Sequence, residues 1–197
     1  MPETSNTSSR DVLFWSGGKD SYLALCYLQD QSETDPVLLT TYDDESGRVP
    51  HQDIPIEIIR QQALDLGLIL FMVPLSYPAT NEDYLKAIEN HLETTPFEIN
   101  RLMFGDLHLN DIRIWREKQF GAMGYDLEFP IWKKPYGELF DRLDRENVII
   151  RISAVMDEYL DLIQIGQIFN HEFADSLPDD IDKMGEKGEF HTVVVFG

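Results

Sequence analysis

The feature that most constrains this chain is the run Ser16-Gly17-Gly18-Lys19-Asp20-Ser21, set between two unlike patterns. Before it, Asp11-Val12-Leu13-Phe14-Trp15 is a short apolar stretch of the kind that forms a buried strand. After it, Tyr22, Leu23, Cys26 and Tyr27 recur at helical spacing to about Gln29. A strand that turns within two glycines into a helix brings backbone close to whatever sits on the turn. The helix start presents unpaired N–H groups and a positive dipole end, worth ~0.3–1 kcal/mol per charge contact. Ser16 and Ser21 add hydroxyls, Lys19 a full charge and Asp20 a carboxylate suited to Mg²⁺. The combination predicts an anion site, and phosphate is the natural occupant.

Two common phosphate loops are excluded. The Walker A pattern requires a glycine where Leu13 stands and Ser or Thr where Asp20 stands; the dinucleotide fingerprint G-x-G-x-x-G is absent. Further along, strand-like runs at Val37–Tyr42, Leu68–Leu75 and Leu102–Phe104 alternate with helical patterns. Ile56, Ile59, Ala63 and Leu66 mark one helix, stopped by Gly67; Asn81, as N-cap, with Glu82 and Asp83 starts another. Ile112, Trp115, Lys118 and Gln119 mark a third, after Gly105-Asp106. Alternation of this kind predicts an α/β fold with a Rossmann-like parallel sheet, helices on both faces and ligands beyond the carboxyl ends of the strands. The ends to watch are Trp15-Ser16, Thr40-Thr41-Tyr42 and Phe104-Gly105-Asp106. After Gly124 the rhythm loosens: Phe129–Trp132, a helical stretch Gly137–Arg145, a strand-like run Val148–Ile152 and a terminal run Thr192–Phe196 suggest a smaller C-terminal α+β lobe. The expected layout is a flexible tail over 1–10, a nucleotide-binding domain over 11–125 and a small substrate lobe over 126–197.

Composition narrows the partners. The formal net charge is −20 over 197 residues, which repels nucleic-acid phosphates and leaves no lysine or arginine cluster to offset the repulsion. A chain that repels anions overall needs concentrated local positive potential to hold a polyphosphate, from backbone N–H groups, Lys19 and a metal ion. One cysteine, Cys26, excludes an intramolecular disulfide and reads as a buried small hydrophobe. No apolar run is long enough to cross a bilayer and no signal-peptide pattern is present. The expectations are a cytoplasmic location and no nucleic-acid or membrane partner; self-association into a homo-oligomer stays open.

The Ser16–Ser21 run after a buried strand resembles the signature of the PP-loop ATP pyrophosphatases, within the adenine nucleotide alpha hydrolase superfamily. Gly185-Glu186-Lys187-Gly188-Glu189-Phe190-His191-Thr192 is similar to the second signature of the diphthine–ammonia ligase family. Arg48-Val49-Pro50-His51, Gly105-Asp106-Leu107 with Arg113 and Arg116-Glu117, and Phe129-Pro130-Ile131-Trp132 follow in the order of that family's bacterial branch. Lys183-Met184 and Lys133 depart from the branch's usual Pro-Cys and glycine. The resemblance implies an ATP-dependent, AMP-forming C–N ligase that adenylates a small-molecule or protein-borne carboxylate for attack by ammonia or an amine.

It also implies site residues. Ser16, Gly17, Gly18, Lys19, Asp20 and Ser21 would hold the phosphates, with Thr40, Thr41, Gly105 and Asp106 near the nucleotide. Asp20 and Asp106 would be the Mg²⁺ ligands, and Lys19, Asp20, Glu189 and His191 the catalytic set. His51, Glu82, Trp132, Glu186, Gly188, Glu189, His191 and Thr192 would face the second substrate. Arg113 and Glu117, four apart on a helix, read as a surface ion pair. Two alternatives stand beside the ligase: a PP-loop enzyme modifying a nucleoside or sulfur carrier, and a non-catalytic ATP-binding regulatory module.

Overall fold

The computed structural model describes residues 9–32, 34–146 and 148–197. The expected tail, 1–10, lies outside them except for Ser9 and Arg10. Those two residues are strand, not tail, because they pair with Glu98 and Ile99.

The elements in chain order are β1 (Ser9–Phe14), α1 (Lys19–Gln29), β2 (Val37–Asp43), β3 (Arg48–Val49), β4 (Ile54–Pro55) and α2 (Ile56–Leu66). There follow β5 (Leu70–Leu75), α3 (Asn81–Glu93), β6 (Glu98–Met103), α4 (Asn110–Ala122) and β7 (Leu127–Glu128). The chain closes with α5 (Tyr136–Arg145), β8 (Val148–Val155), a 3₁₀ turn (Asp157–Tyr159), α6 (His171–Ser176) and β9 (Phe190–Phe196).

The parallel strands lie in the order β5-β2-β1-β6-β7, so the chain reverses direction across the sheet between β1 and β6. This is the expected α/β fold, and the reversal opens a crevice at the carboxyl ends of β1 and β6. The short antiparallel pair β3/β4, attached to the end of β2, was not anticipated; two-residue strands carry no periodicity to read.

Helices cover both faces, as the burial pattern requires. Leu23, Leu28, Ile59 and Ala63 of α1 and α2 join Leu13, Leu38 and Met103 in one core. Val12, Leu39 and Phe104 face the other way, against Ile88 and Leu92 of α3 and Phe120 of α4. β8 and β9 form a separate antiparallel pair, yet Ile150, Ile152 and Val194 lie in the same core as α1. β7 joins the large sheet through Leu102 and Met103 of β6.

Gly67 stops α2 in the left-handed conformation, φ 68°, where a side chain would be strained. The N-cap of α3 is Thr80 rather than Asn81. Thr80 Oγ1 accepts from Asp83 N at 3.1 Å while the Asp83 carboxylate accepts from Thr80 N at 3.0 Å, a complete capping box. Among the described residues, no helix is long and apolar enough to cross a membrane.

Candidate active site

A cavity of about 680 Å³ opens at the carboxyl ends of β1, β2 and β6, within the range of small-molecule sites. Its walls carry Ser16, Gly18, Lys19, Asp20, Ser21, Thr41, His51, Gly105, Asp106, Glu186, Gly188, His191 and Thr192. The two distant signature segments therefore meet across one space.

What joins them is hydrogen bonding to the backbone of the phosphate loop. Thr192 Oγ1 accepts from Lys19 N at 3.0 Å, acting as a helix cap supplied from the other end of the chain. Val194 N donates to Gly17 O at 2.9 Å. The fit is close enough that a Cβ on Gly18 would stand 2.8 Å from Thr192 O, and one on Gly105 would stand 2.7 Å from Asp20 O. Both positions need the absence of a side chain.

Lys19 is buried, with its ammonium donating to both oxygens of Asp20 at 2.9 and 2.8 Å and lying 5.6 Å from the centre of the Phe169 ring. Asp20 keeps 30% of its side-chain surface exposed and lines the cavity. That enclosure pushes its pKa up, against the opposing pull of Lys19. Asp106 faces Arg116, whose Nε lies 2.7 Å from Oδ2 but out of line for a hydrogen bond; Nη2 donates to Oδ1 at 3.3 Å. Arg116 also stacks over Phe104, its guanidinium carbon 4.2 Å from the ring centre. Sequence reasoning missed Arg116 as a cavity residue, because only the fold brings it beside Asp106.

Glu186 is strongly perturbed. Burial, then the field of Asp20, pushes it from the usual 4.5 up to about 8. His191 is pushed down to about 4 by burial, then by His51 and Lys19, so at neutral pH it is an uncharged proton acceptor. The rings of His51 and His191 are 6.3 Å apart. His51 holds φ 67° and Asp53 φ 52°, two non-glycine residues in the left-handed region within one loop on the cavity rim.

Glu189 is not in the cavity wall. Its oxygens accept from Asp182 N at 2.9 Å and Lys187 N at 3.0 Å, so it shapes the loop that carries Glu186. Asp182 continues the scaffold, accepting from Met184 N at 2.8 Å and from the Tyr136 hydroxyl at 2.9 Å. Tyr136 in turn meets His108 Nδ1 at 3.3 Å, and His108 Nδ1 is 4.0 Å from Glu186 Oε2. Asp182, Tyr136 and His108 were not singled out by sequence; no local pattern marks them.

The remaining expected site residues are placed elsewhere. Glu82 is exposed on the first turn of α3, away from the cavity lining. Trp132 packs on Phe129 and under Arg113, whose guanidinium carbon is 4.7 Å from its ring centre. Thr40 is buried and donates to Trp15 O at 2.6 Å, so it holds β1 against β2 while Thr41 reaches the cavity. Gly17, within the loop, is buried and does not line the cavity. Arg113 pairs with Glu117 at 2.7 Å and Cys26 is buried, as expected.

The residues suit Mg²⁺ only in company with a ligand. Among the described residues, no cluster of three or more acids, histidines or cysteines is arranged to hold a metal alone. Asp20 and Asp106 can supply one or two carboxylate oxygens, and Mg²⁺ commonly takes the rest from phosphates and water.

Residues 9–125, more than half of the chain, match the family described as the diphthamide synthase N-terminal domain. A comparison with curated proteins returns no match. Among solved structures, a predicted subunit of tRNA methyltransferase from Methanocaldococcus jannaschii is similar over 95% of this chain and 97% of that chain, at 18% identity and a TM-score of 0.47. The U34-tRNA thiolase NcsA from Methanococcus maripaludis is similar over 71% of this chain and 58% of that chain, at 17% identity and a TM-score of 0.37. Likeness at that level leaves the chemistry to be read from the site itself.

Proposed function

This chain belongs to the diphthamide synthase N-terminal domain family, and from that premise we propose that it is an ATP-dependent, AMP-forming ligase of the diphthine–ammonia ligase type. The triphosphate lies on Ser16, Gly18, Lys19 and Ser21, and a carboxylate substrate meets it in the same cavity. The observation that carries the reading is the shared cavity: a phosphate loop faces a second polar segment, Gly185–Thr192, across one space. A module that only senses nucleotide has no need of the second wall.

The chemistry follows from what the carboxylate lacks. It is a poor electrophile, and transfer of AMP to its oxygen provides a leaving group, with pyrophosphate released. Lys19 and the N–H groups at the start of α1 stabilise charge at the phosphates. Asp20 and Asp106 would hold Mg²⁺ together with the phosphates, and the ion would supply further charge neutralisation there. Ammonium must lose a proton before it can attack. Neutral His191 is the base available in the cavity wall; Glu186, held protonated at neutral pH, becomes a base only as pH rises past about 8. Glu189 acts indirectly, by holding the loop.

The net charge of −20 favours a small or protein-borne substrate over a nucleic acid. The test is to supply Mg-ATP, ammonium and a panel of carboxylates to the purified chain and assay pyrophosphate and AMP. Stoichiometric AMP, pyrophosphate and amide support the ligase; nucleotide binding without AMP formation for any acceptor supports a regulatory module instead.

A further inference from the structure

Gln62 is a polar side chain on the buried face of α2, 2% exposed, in company with Ile59 and Ala63. A buried amide must find its partners or destabilise the fold by about 1–3 kcal/mol. Gln62 finds three. Its Oε1 accepts from Trp15 Nε1 at 2.9 Å, and its Nε2 donates to Gly17 O at 3.0 Å and Val194 O at 2.7 Å. One donor and two acceptors around the amide leave a single orientation that satisfies all of them.

These partners belong to three segments: the end of β1, the phosphate loop and the C-terminal strand β9. The Gly17 carbonyl receives two N–H groups, from Gln62 and from Val194, and neither of those residues lines the cavity. In a trans peptide the C=O and N–H point in opposite directions. Fixing Gly17 O against Gln62 and β9 therefore turns the Gly18 N–H to the cavity side, where its nearest partner is Ser16 Oγ at 3.4 Å. Gly17 itself holds φ 79°, and a Cβ there would stand 2.8 Å from Gln62 Oε1, so loop and amide are fitted to each other.

We propose that Gln62 is a positioning residue that sets the Gly17–Gly18 peptide with its N–H toward the phosphate site and locks that loop to β9. The triphosphate site is then complete only when the C-terminal strand is docked, which couples the phosphate loop to the Gly185–Thr192 segment. This inference rests on the ATP reading only for the identity of the anion.

The test compares Gln62→Glu and Gln62→Met with the wild type. Gln62→Glu keeps the acceptor for Trp15 but has no proton for Gly17 O and Val194 O when ionised and only one for the two of them when protonated; Gln62→Met is close in volume and loses all three bonds. Affinities for α,β-methylene-ATP with Mg²⁺, for inorganic pyrophosphate and for adenosine are measured by calorimetry, with thermal melting alongside. The expected result is a loss of about tenfold or more in affinity for the two phosphate probes, with adenosine affinity within twofold of wild type. Unchanged phosphate affinity in either folded variant overturns the proposal. Equal loss for adenosine and phosphates also overturns it, since that marks general damage to the fold. A wild type that binds pyrophosphate but not the nucleotide refutes the ATP reading and leaves the Gln62 comparison decisive through pyrophosphate. A wild type that binds neither refutes both.

Discussion

Replacing Glu186 with glutamine should stabilise the protein while impairing the reaction, and the gain should grow with pH. Glu186 ionises at about 8 in the folded chain against an ordinary 4.5, because burial and the Asp20 carboxylate disfavour its charge. Below pH 4.5 the group is protonated in both folded and unfolded chains and has no effect on the balance. Between 4.5 and about 8 the unfolded chain ionises first, so stability falls as pH rises. At 1.36 kcal/mol per pH unit the loss is about 3 kcal/mol at pH 7 and levels off near about 5 kcal/mol above pH 8. Glutamine is nearly isosteric and cannot ionise. Urea denaturation of wild type and Glu186→Gln should then give stability differences of under about 1 kcal/mol at pH 5, about 3 at pH 7 and about 5 at pH 9, all favouring the variant. The two chains share every other titrating group, so charges remote from the cavity largely cancel in the difference, and what remains belongs to Glu186 and the Asp20 carboxylate it is coupled to. A difference that stays flat from pH 5 to pH 9 refutes the claim that the cavity holds Glu186 in its protonated form. A gain in stability where function is lost fits a group kept in an unfavourable place for its chemistry.

Gly18→Ala should push a methyl against Thr192 O and cost about 1–3 kcal/mol, read as a Tm lower by about 3–10 °C, together with weaker nucleotide binding. An unchanged Tm would show that the loop and β9 are not closely packed. Glu189→Ala should strand the Asp182 and Lys187 N–H groups and destabilise by about 1–3 kcal/mol, without changing nucleotide affinity by more than about twofold. Triphosphate affinity lost out of proportion to the fall in Tm would instead place Glu189 at the phosphates. His191 ionises near 4 rather than 6.5 when folded, so its contribution is intact above pH 6.5 and is lost as pH falls toward 4. His191→Gln should lessen the acid sensitivity in that window by up to about 3 kcal/mol, measured by denaturation at pH 4.5 and 7. Equal acid sensitivity in both chains contradicts burial of a neutral imidazole.

The parallel sheet was legible because its strands are buried on both faces, and their apolar runs stand out between helical patterns. The phosphate loop was legible because its chemistry is contiguous in sequence. Thr80 was displaced by one position from the cap expected at Asn81, although the pair Thr80 and Asp83 carried the capping signal. The C-terminal segment gave up Glu186, His191 and Thr192 as cavity residues but concealed the division of labour between Glu186 and Glu189. Two glutamates three apart look alike until the turn at Gly188, φ 91°, puts one in the cavity and the other under the loop. Gln62 left a faint signal, a polar residue on an otherwise apolar helix face. Its partners lie 45, 47 and 132 residues away, and no local pattern can supply them. Arg116, Tyr136 and Asp182 were hidden for the same reason: ion pairs and hydrogen bonds between distant segments follow from the fold.

The most direct measurement of the central claim follows the label from [γ-³²P]ATP incubated with the chain, Mg²⁺, ammonium and a pool of carboxylates. The expected product is labelled pyrophosphate, with AMP in equal amount, formed by wild type and abolished in Asp20→Ala. Labelled orthophosphate with ADP, or pyrophosphate formed equally well by Asp20→Ala, would contradict α–β cleavage at this loop.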